Sequence, residues 1–284
     1  MIKIILDSCS SMNNADALKK NITIVPMKYE LNGKEVNPVT DNIDIKSFYD
    51  QLENHDTTVK TSCVSPDAFK NAFTDVVKKG DEVLYIALSK GLSGSFNSAF
   101  LAKDIVLDEY PDAKIEIVNS LTGSIGIKLL LDEAEILISE GKSLAEIKDV
   151  LDSYAKRLTS NFTIGSLYHL YKGGRLNYTA MVAGRLLRFK PVIEANSEGK
   201  LEKTGTFIGK NKAIASMEET LDNTIDKDSR SIYVGHTNNI EECQKVVERL
   251  KEKYPWLNVY LEPIDTTMGC HCGPNTIAIF YFHK

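Results

Sequence analysis

The sequence predicts an α/β protein made of two α/β domains, an N-terminal one over residues 1–158 with a mostly parallel sheet flanked by helices, and a C-terminal one over 159–284 with a mixed sheet. Three observations carry that prediction. Through residue 158, short β-branched apolar runs alternate with longer stretches of helical periodicity, the pattern of buried parallel strands joined by crossover helices. Beyond residue 159 strand-like runs also come in pairs about a turn, as in 192–195 and 201–207 around Ser197-Glu198-Gly199, which is a hairpin signature. The length of 284 residues suits two domains better than one.

Taken in order, the opening run 2–6 is continuously apolar and stops at Asp7-Ser8, as a strand buried on both faces does when it reaches a polar loop. A second strand is expected over 22–29, followed by Asn32-Gly33, a pair suited to the positive φ angles of a hairpin turn. A helix follows at 45–53. Thr61-Ser62 then leads to Ser65 as N-cap and Pro66 as first helical residue of a helix reaching Lys79 and ended by Gly80. Residues 83–88 form the next buried strand, 89–95 a glycine- and serine-rich turn, and 96–107 a helix. A strand at 115–118 ends in Asn119-Ser120, a helix runs over 121–140 to Gly141, and Ser143 with Glu146 has the capping-box spacing. The second unit reads as a strand at 162–169, a tight turn at Lys172-Gly173-Gly174-Arg175 and a helix over 178–188 ended by Pro191. After the hairpin come a helix at 210–225, a strand at 232–235, a helix at 240–254, a strand at 259–263, a turn over 268–275 and a terminal strand at 276–282.

Composition narrows the function classes. Lys and Arg total 34 against 39 Asp and Glu, a formal charge of −5, with no basic block able to neutralise a run of phosphates, so nucleic acid is excluded as a partner. No apolar run approaches the ~20 residues of a membrane span, which excludes stable membrane insertion. The opening MIKIILDSCSS meets an acid at Asp7, too early for a signal-peptide core, and the five scattered cysteines form no disulfide framework. A reducing, cytoplasmic setting is expected.

Among chemistry-bearing segments, Lys90-Gly91-Leu92-Ser93-Gly94-Ser95 follows a buried strand and opens a helix, where backbone N–H groups and the helix dipole favour an anion. It lacks the fifth-position glycine of a nucleophile elbow, and the chain has no P-loop. Loops at the carboxyl ends of parallel strands meet in one crevice, so Ser8, Thr61-Ser62, Ser93-Gly94 and Asn119-Ser120 are expected as neighbours. Their hydroxyls suit holding a negative group more than breaking bonds. Gly269-Cys270-His271-Cys272-Gly273-Pro274 invites a zinc reading that lacks a second ligand pair, and the alternative places His271 on a loop near Ser93. No metal is expected. Arg175 suits a planar oxyanion. Phe96, Phe100, Leu129, Leu130 and Met181 fall at helical spacing and read as core.

With Asp7-Ser8, Thr61-Ser62, Gly91 through Ser95, Tyr171 through Leu176, Lys190-Pro191 and Gly269 through Pro274 in place, the chain resembles the DegV family of bacterial fatty-acid-binding proteins, the acyl-carrying subunits of fatty acid kinase. The resemblance runs from end to end. It implies a long-chain fatty acid as ligand, with no other cofactor, whose carboxylate is hydrogen-bonded near Thr61, Ser62, Ser93 and Gly94 with His271 close by. It further implies a separate ATP-binding kinase subunit as partner, approaching with its phosphate on the side of Arg175, and no catalytic residue in this chain. The chain departs from the family pattern at Ser11, where an Asp is common, at Cys63-Val64-Ser65 in place of Gln-Pro-Ser, at Cys272 in place of Thr and at Asn275 in place of Gly. The competing reading is a stand-alone serine hydrolase or acyl transferase using Ser93 and His271.

Overall fold

The computed structural model describes residues 1–54, 56–176 and 188–284; the helix expected over 178–188, Met181 included, lies outside the described residues save for Arg188, as does His55. Strands β1 (Ile2–Asp7), β2 (Thr23–Val25), β3 (Tyr29–Leu31), β4 (Lys34–Val36), β5 (Val59–Thr61), β6 (Glu82–Ala87) and β7 (Ile115–Asn119) occupy the first half. β2-β1-β6-β7 form a fully parallel sheet, and β4-β3-β5 a small antiparallel one. The expected strand at 22–29 is thus two: Pro26, which has no N–H to give, interrupts it, and Tyr29 begins the small sheet. Asn32 and Gly33 take φ of 50° and 78°, as the hairpin turn requires.

Helices α1 (Asn14–Lys19), α2 (Ile45–Leu52), α3 (Pro66–Val77), α4 (Ser95–Glu109), α5 (Ile125–Ser139) and α6 (Leu144–Ala155) complete this half. Ser65 caps α3 through the Ala68 N–H, and the Ser143–Glu146 box caps α6. α5 begins four residues later than its apolar pattern implies. Leu121 and Ser124 sit at φ of 55° and 57°, which no helix tolerates, and the Ser124 N–H donates to Cys9 O at 2.6 Å instead.

The second half carries β8 (Leu158–Thr163), α7 (Tyr168–Lys172), β9 (Phe189–Ala195), β10 (Leu201–Ile208), α8 (Lys210–Thr224), β11 (Ser231–His236), α9 (Ile240–Lys253), β12 (Asn258–Pro263), α10 (Thr266–Cys272) and β13 (Ile277–Phe282). The strands form a mixed six-stranded sheet ordered β10-β9-β8-β13-β11-β12. Three local expectations change. The strand at 162–169 lies earlier, at Leu158–Thr163, and its expected end is the helix α7. Pro191 sits inside β9, one residue past the β8 ladder that ends at Thr163↔Val192, and its carbonyl accepts from Thr163 Oγ1 at 2.8 Å. Residues 266–272 are helical because Asp265 caps them, accepting from the Met268 N–H at 2.8 Å.

The mixed sheet is apolar on both faces, and β13 displays the two-residue period: Ile277, Ile279 and Tyr281 join the core under α8 and α9, while Ala278, Phe280 and Phe282 join the core shared with the parallel sheet. α5, wholly buried along Ile125 to Leu131 except for Lys128, packs between the two sheets.

Candidate functional site

The parallel sheet reverses its winding between β1 and β6, since the chain steps from β1 to β2 on one side and later returns to β6 on the other. Loops at the carboxyl ends of two such strands open a crevice. Buried Asp7 holds its floor: the carboxylate accepts from Cys9 N at 2.9 Å, from Leu88 N at 3.1 Å and from the Tyr85 hydroxyl at 2.7 Å, tying the loop after β1 to the loop after β6.

Two hydroxyl-bearing loops meet over this crevice. Thr61-Ser62-Cys63 leaves β5 toward α3, and Leu92-Ser93-Gly94 enters α4; Ser95 Oγ accepts the Val64 N–H at 2.9 Å and lies 3.0 Å from Ser93 Oγ. The Cys63 thiol sits 3.7 Å from Ser93 Oγ. Gly94 permits that approach, for a Cβ there would stand 3.3 Å from Cys63 Sγ. Gly94 also caps the 15-residue helix α4 without a side-chain hydrogen bond, leaving a helix N-terminus whose dipole attracts an anion.

α10 brings the histidine. Tyr49 on α2 grips this helix, its hydroxyl donating to Ile264 O at 3.0 Å and lying so close that a Cβ on Gly269 would strike it at 2.5 Å. Two residues on, His271 Nε2 lies 2.9 Å from Thr61 Oγ1. Among the described residues its Nδ1 is buried without a partner, and it abuts Gly173, where a Cβ would collide with it. Burial first, then the nearby charges of Arg175 and His169, depress the His271 pKa to about 4, so the ring is neutral at pH 7. A buried N–H without a partner is rarer and costlier than a bare acceptor, which puts the proton on Nε2. Thr61 then accepts from His271 and is free to donate its own proton. Arg175 is braced at the same place, Nε donating to Leu92 O at 2.9 Å and NH1 to Gly173 O at 2.6 Å.

Thr61, Ser62, Ser93, Arg175 and His271 all line one cavity, with about 850 Å³ not filled by atoms when its mouth is counted. The wall is overwhelmingly apolar. Of the expected neighbours, Gly94 stands behind the wall, against Cys63. Ser8 instead joins the Met27 N–H at 2.9 Å to Thr267, Ser120 donates to Thr122 O of its own loop, and Asn119 accepts from Leu121 N and from Lys90 N of the loop that carries Ser93. His271 is on a helix, not on the expected loop, and its ring meets Thr61; Ser93 bonds within its own turn, to Ser95 N at 3.2 Å. Residue reasoning missed Met27, Leu88, Phe162, Met268 and Phe280, which supply much of the apolar wall. Phe280 was open to detection through the alternation of β13. Leu129 and Leu130 are core as expected, whereas Phe100 is 40% exposed.

Cys270 and Cys272 both turn away from a shared centre, their thiols donating to Thr266 O and Met268 O of their own helix. Among the described residues no group of three His, Cys, Asp or Glu side chains is arranged to hold a metal ion. No described helix is long and apolar enough to cross a membrane.

A family model described as an uncharacterised protein of the DegV family matches residues 1–284. The chain belongs to the DegV family. A DegV domain-containing protein of Clostridium perfringens is 34% identical over 246 residues, 85% of this chain and 84% of its own. Among solved structures, a stearic-acid-binding protein from Eubacterium ventriosum superposes with a TM-score of 0.89 at 27% identity over 100% of this DegV chain and 99% of its own. The Fak B3 protein of the Streptococcus pneumoniae fatty acid kinase, loaded with linoleic acid, shares the fold with a TM-score of 0.87 at 24% identity over 100% of both chains.

Proposed function

We propose that this protein holds one long-chain fatty acid, tail in the apolar cavity and carboxylate against Thr61, Ser62 and Ser93, with the α4 N-terminus at Gly94 behind them, and offers that carboxylate to a separate ATP-dependent kinase subunit. The observation that carries the reading is the meeting of two hydroxyl loops, through Cys63 and Ser93 at 3.7 Å, on the wall of a cavity whose surface is mainly apolar. An isolated carboxylate in such surroundings is stable only when several donors satisfy it, and Thr61 and Ser93 hydroxyls with free N–H groups of a helix start are donors of that kind. Burying a 16-carbon tail contributes about 10 kcal/mol gross at ~0.8 kcal/mol per methylene, enough to offset the cost of association.

For the kinase step, a second hollow on the far side of Thr61 and His271 supports the reading. It is lined by Lys60, His169, Lys172 and Arg175, and among the described residues no carboxylate lines it. A phosphate arriving there would meet positive charge while the acyl oxygen stays on Thr61. His271 Nε2 is engaged with Thr61, whereas Ser93 Oγ bonds to Ser95 within its own turn, a pairing that suits orienting Thr61 and speaks against the nucleophile–base contact of a stand-alone hydrolase. The reading assigns residues 1–158 as the lipid-binding unit and 159–284 as the unit closing the cavity through β8, β10 and β13. Mass spectrometry of the purified protein under denaturing conditions is expected to release one equivalent of a saturated or unsaturated long-chain fatty acid. Recovery of a lipid-free protein that also fails to take up oleate or palmitate would overturn the reading.

A further inference from the structure

The thiol at the head of the cavity joins the two loops but has no chemical role in the function proposed above. Cys63 is exposed and on the cavity wall, whereas Cys9, Cys243, Cys270 and Cys272 are buried. Its Sγ lies 3.7 Å from Ser93 Oγ on the wall of the same cavity, so a carboxylate hydrogen-bonded by Ser93 would have its carbon near the sulfur. The two groups are fixed relative to one another, since Val64 N is bonded to Ser95 Oγ at 2.9 Å and Ser95 Oγ to Ser93 Oγ at 3.0 Å. Thr61, two residues before Cys63, is oriented by the His271 ring at 2.9 Å.

A carboxylate is inert to thiols, but an acyl phosphate is not. We infer that Cys63 is an acyl acceptor: when the bound lipid is an acyl phosphate, the Cys63 thiolate attacks its carbonyl carbon and a thioester forms. The new bond is Sγ–C(=O); the bond that breaks joins the carbonyl carbon to the bridging oxygen, which leaves with its electron pair as inorganic phosphate. The thiol proton is taken up by that phosphate. No oxidant or reductant enters. Ser93, Thr61 and the uncapped start of α4 would hold the oxyanion of the tetrahedral intermediate as they hold the carboxylate, which is the geometry that lowers acyl-transfer barriers. Holding the acyl carbon beside the sulfur replaces a bimolecular encounter by a local one, and that difference is the readable signature.

The inference rests on the fatty-acid reading, and the test separates the two. Purified protein stripped of lipid is mixed with palmitoyl phosphate, or with acetyl phosphate at the same concentration, and followed by intact mass and by peptide mapping. A gain of one palmitoyl group on Cys63, removed by neutral hydroxylamine and absent in Cys63→Ala, is expected, formed at least ~100-fold faster than acetylation because the tail seats the carbonyl. Native mass spectrometry of the same samples reports noncovalent lipid. Bound palmitoyl phosphate without an adduct after hours, equal rates for the two acyl phosphates, or an adduct that persists in Cys63→Ala would each overturn the acceptor role and leave the fatty-acid reading standing. A protein that takes up no lipid in any form refutes both.

Discussion

Replacing Thr61 by valine keeps its shape and removes the one hydroxyl that links His271 to the cavity. Two separable losses follow from the geometry. The ligand carboxylate loses a charge-assisted hydrogen bond worth about 1.5–3 kcal/mol, so fatty acid binding is expected to weaken by roughly 10- to 150-fold. The protein loses the partner of His271 Nε2, now at 2.9 Å, and since Nδ1 is already without one the ring would be buried with neither nitrogen satisfied. An orphaned N–H costs about 1–3 kcal/mol. At ~2 °C per kcal/mol for a chain of this size, the apo protein's Tm should fall by about 2–6 °C. His271→Leu supplies the control. In that background Thr61→Val should cost almost no stability, because no imidazole is left to orphan, and should still weaken binding by the same factor. Displacement of a fluorescent fatty acid gives the affinities, and thermal melts of delipidated protein give the rest. Thr61→Val that binds oleate like the parent, or stability losses that simply add in the double variant, would show that the Thr61–His271 pair does not organise the headgroup.

Two groups on the α10 segment are expected to titrate in opposite senses. Burial raises Asp265 from 3.8 to about 6, so its contribution to stability is full below pH 3.8 and is lost, by about 3 kcal/mol, as pH rises to 6. His271 is lowered from 6.5 to about 4, so its contribution is full above pH 6.5 and is lost, again by about 3 kcal/mol, as pH falls to 4. Urea midpoints between pH 4 and 7 should therefore respond in opposite senses to removal of the two groups. They should drop steeply toward acid in Asp265→Asn, where Asn still caps the helix, and toward neutral pH in His271→Gln; parallel curves for all three would refute the assignment. Gly199 sits at φ 71° against Ser89, whose hydroxyl donates to Gly199 O at 2.8 Å, so Gly199→Ala should lift the β9–β10 hairpin off the Ser93 loop, cost more than about 1 kcal/mol and speed lipid release in a stopped-flow transfer assay. Gly123 lines the cavity with room for no Cβ, Leu88 Cδ1 and Met268 Cε standing 2.7 and 2.9 Å from one, so Gly123→Leu should shift the preferred ligand toward shorter acyl chains in a competition of C12 to C18 acids; an unchanged ranking would place the tail elsewhere.

Local chemistry was legible wherever one residue type decides the backbone. Ser65-Pro66 starts α3, Asn32-Gly33 turns the hairpin, Ser143 and Glu146 close their box, and the parallel order of the first sheet follows from strands buried on both faces. What misled was apolar content without backbone detail. Residues 121–124 look helical, yet positive φ at Leu121 and Ser124 bends them against Cys9. The glycines and cysteines of 269–273 look like a turn, yet Asp265 caps a helix there, and the glycine serves Tyr49 rather than flexibility. The hydroxyls of the candidate site were visible because they sit at strand ends. Its apolar wall was not, because Met27, Leu88, Phe162 and Met268 come from four distant segments and differ in no way from core residues until the fold leaves space between them.

A carboxylate seated among hydroxyls and helix N–H groups should be held in its charged form, with its pKa well below that of a free carboxylic acid. Carbon NMR of oleate labelled at its carboxyl carbon and bound to the protein reports this directly. A single sharp bound resonance that does not shift between pH 7 and 4, and that moves in Ser93→Ala, is the expected result. A carboxyl signal that titrates as it does in a detergent micelle, or one indifferent to Ser93, would mean that the loops of Thr61 and Ser93 hold no headgroup between them.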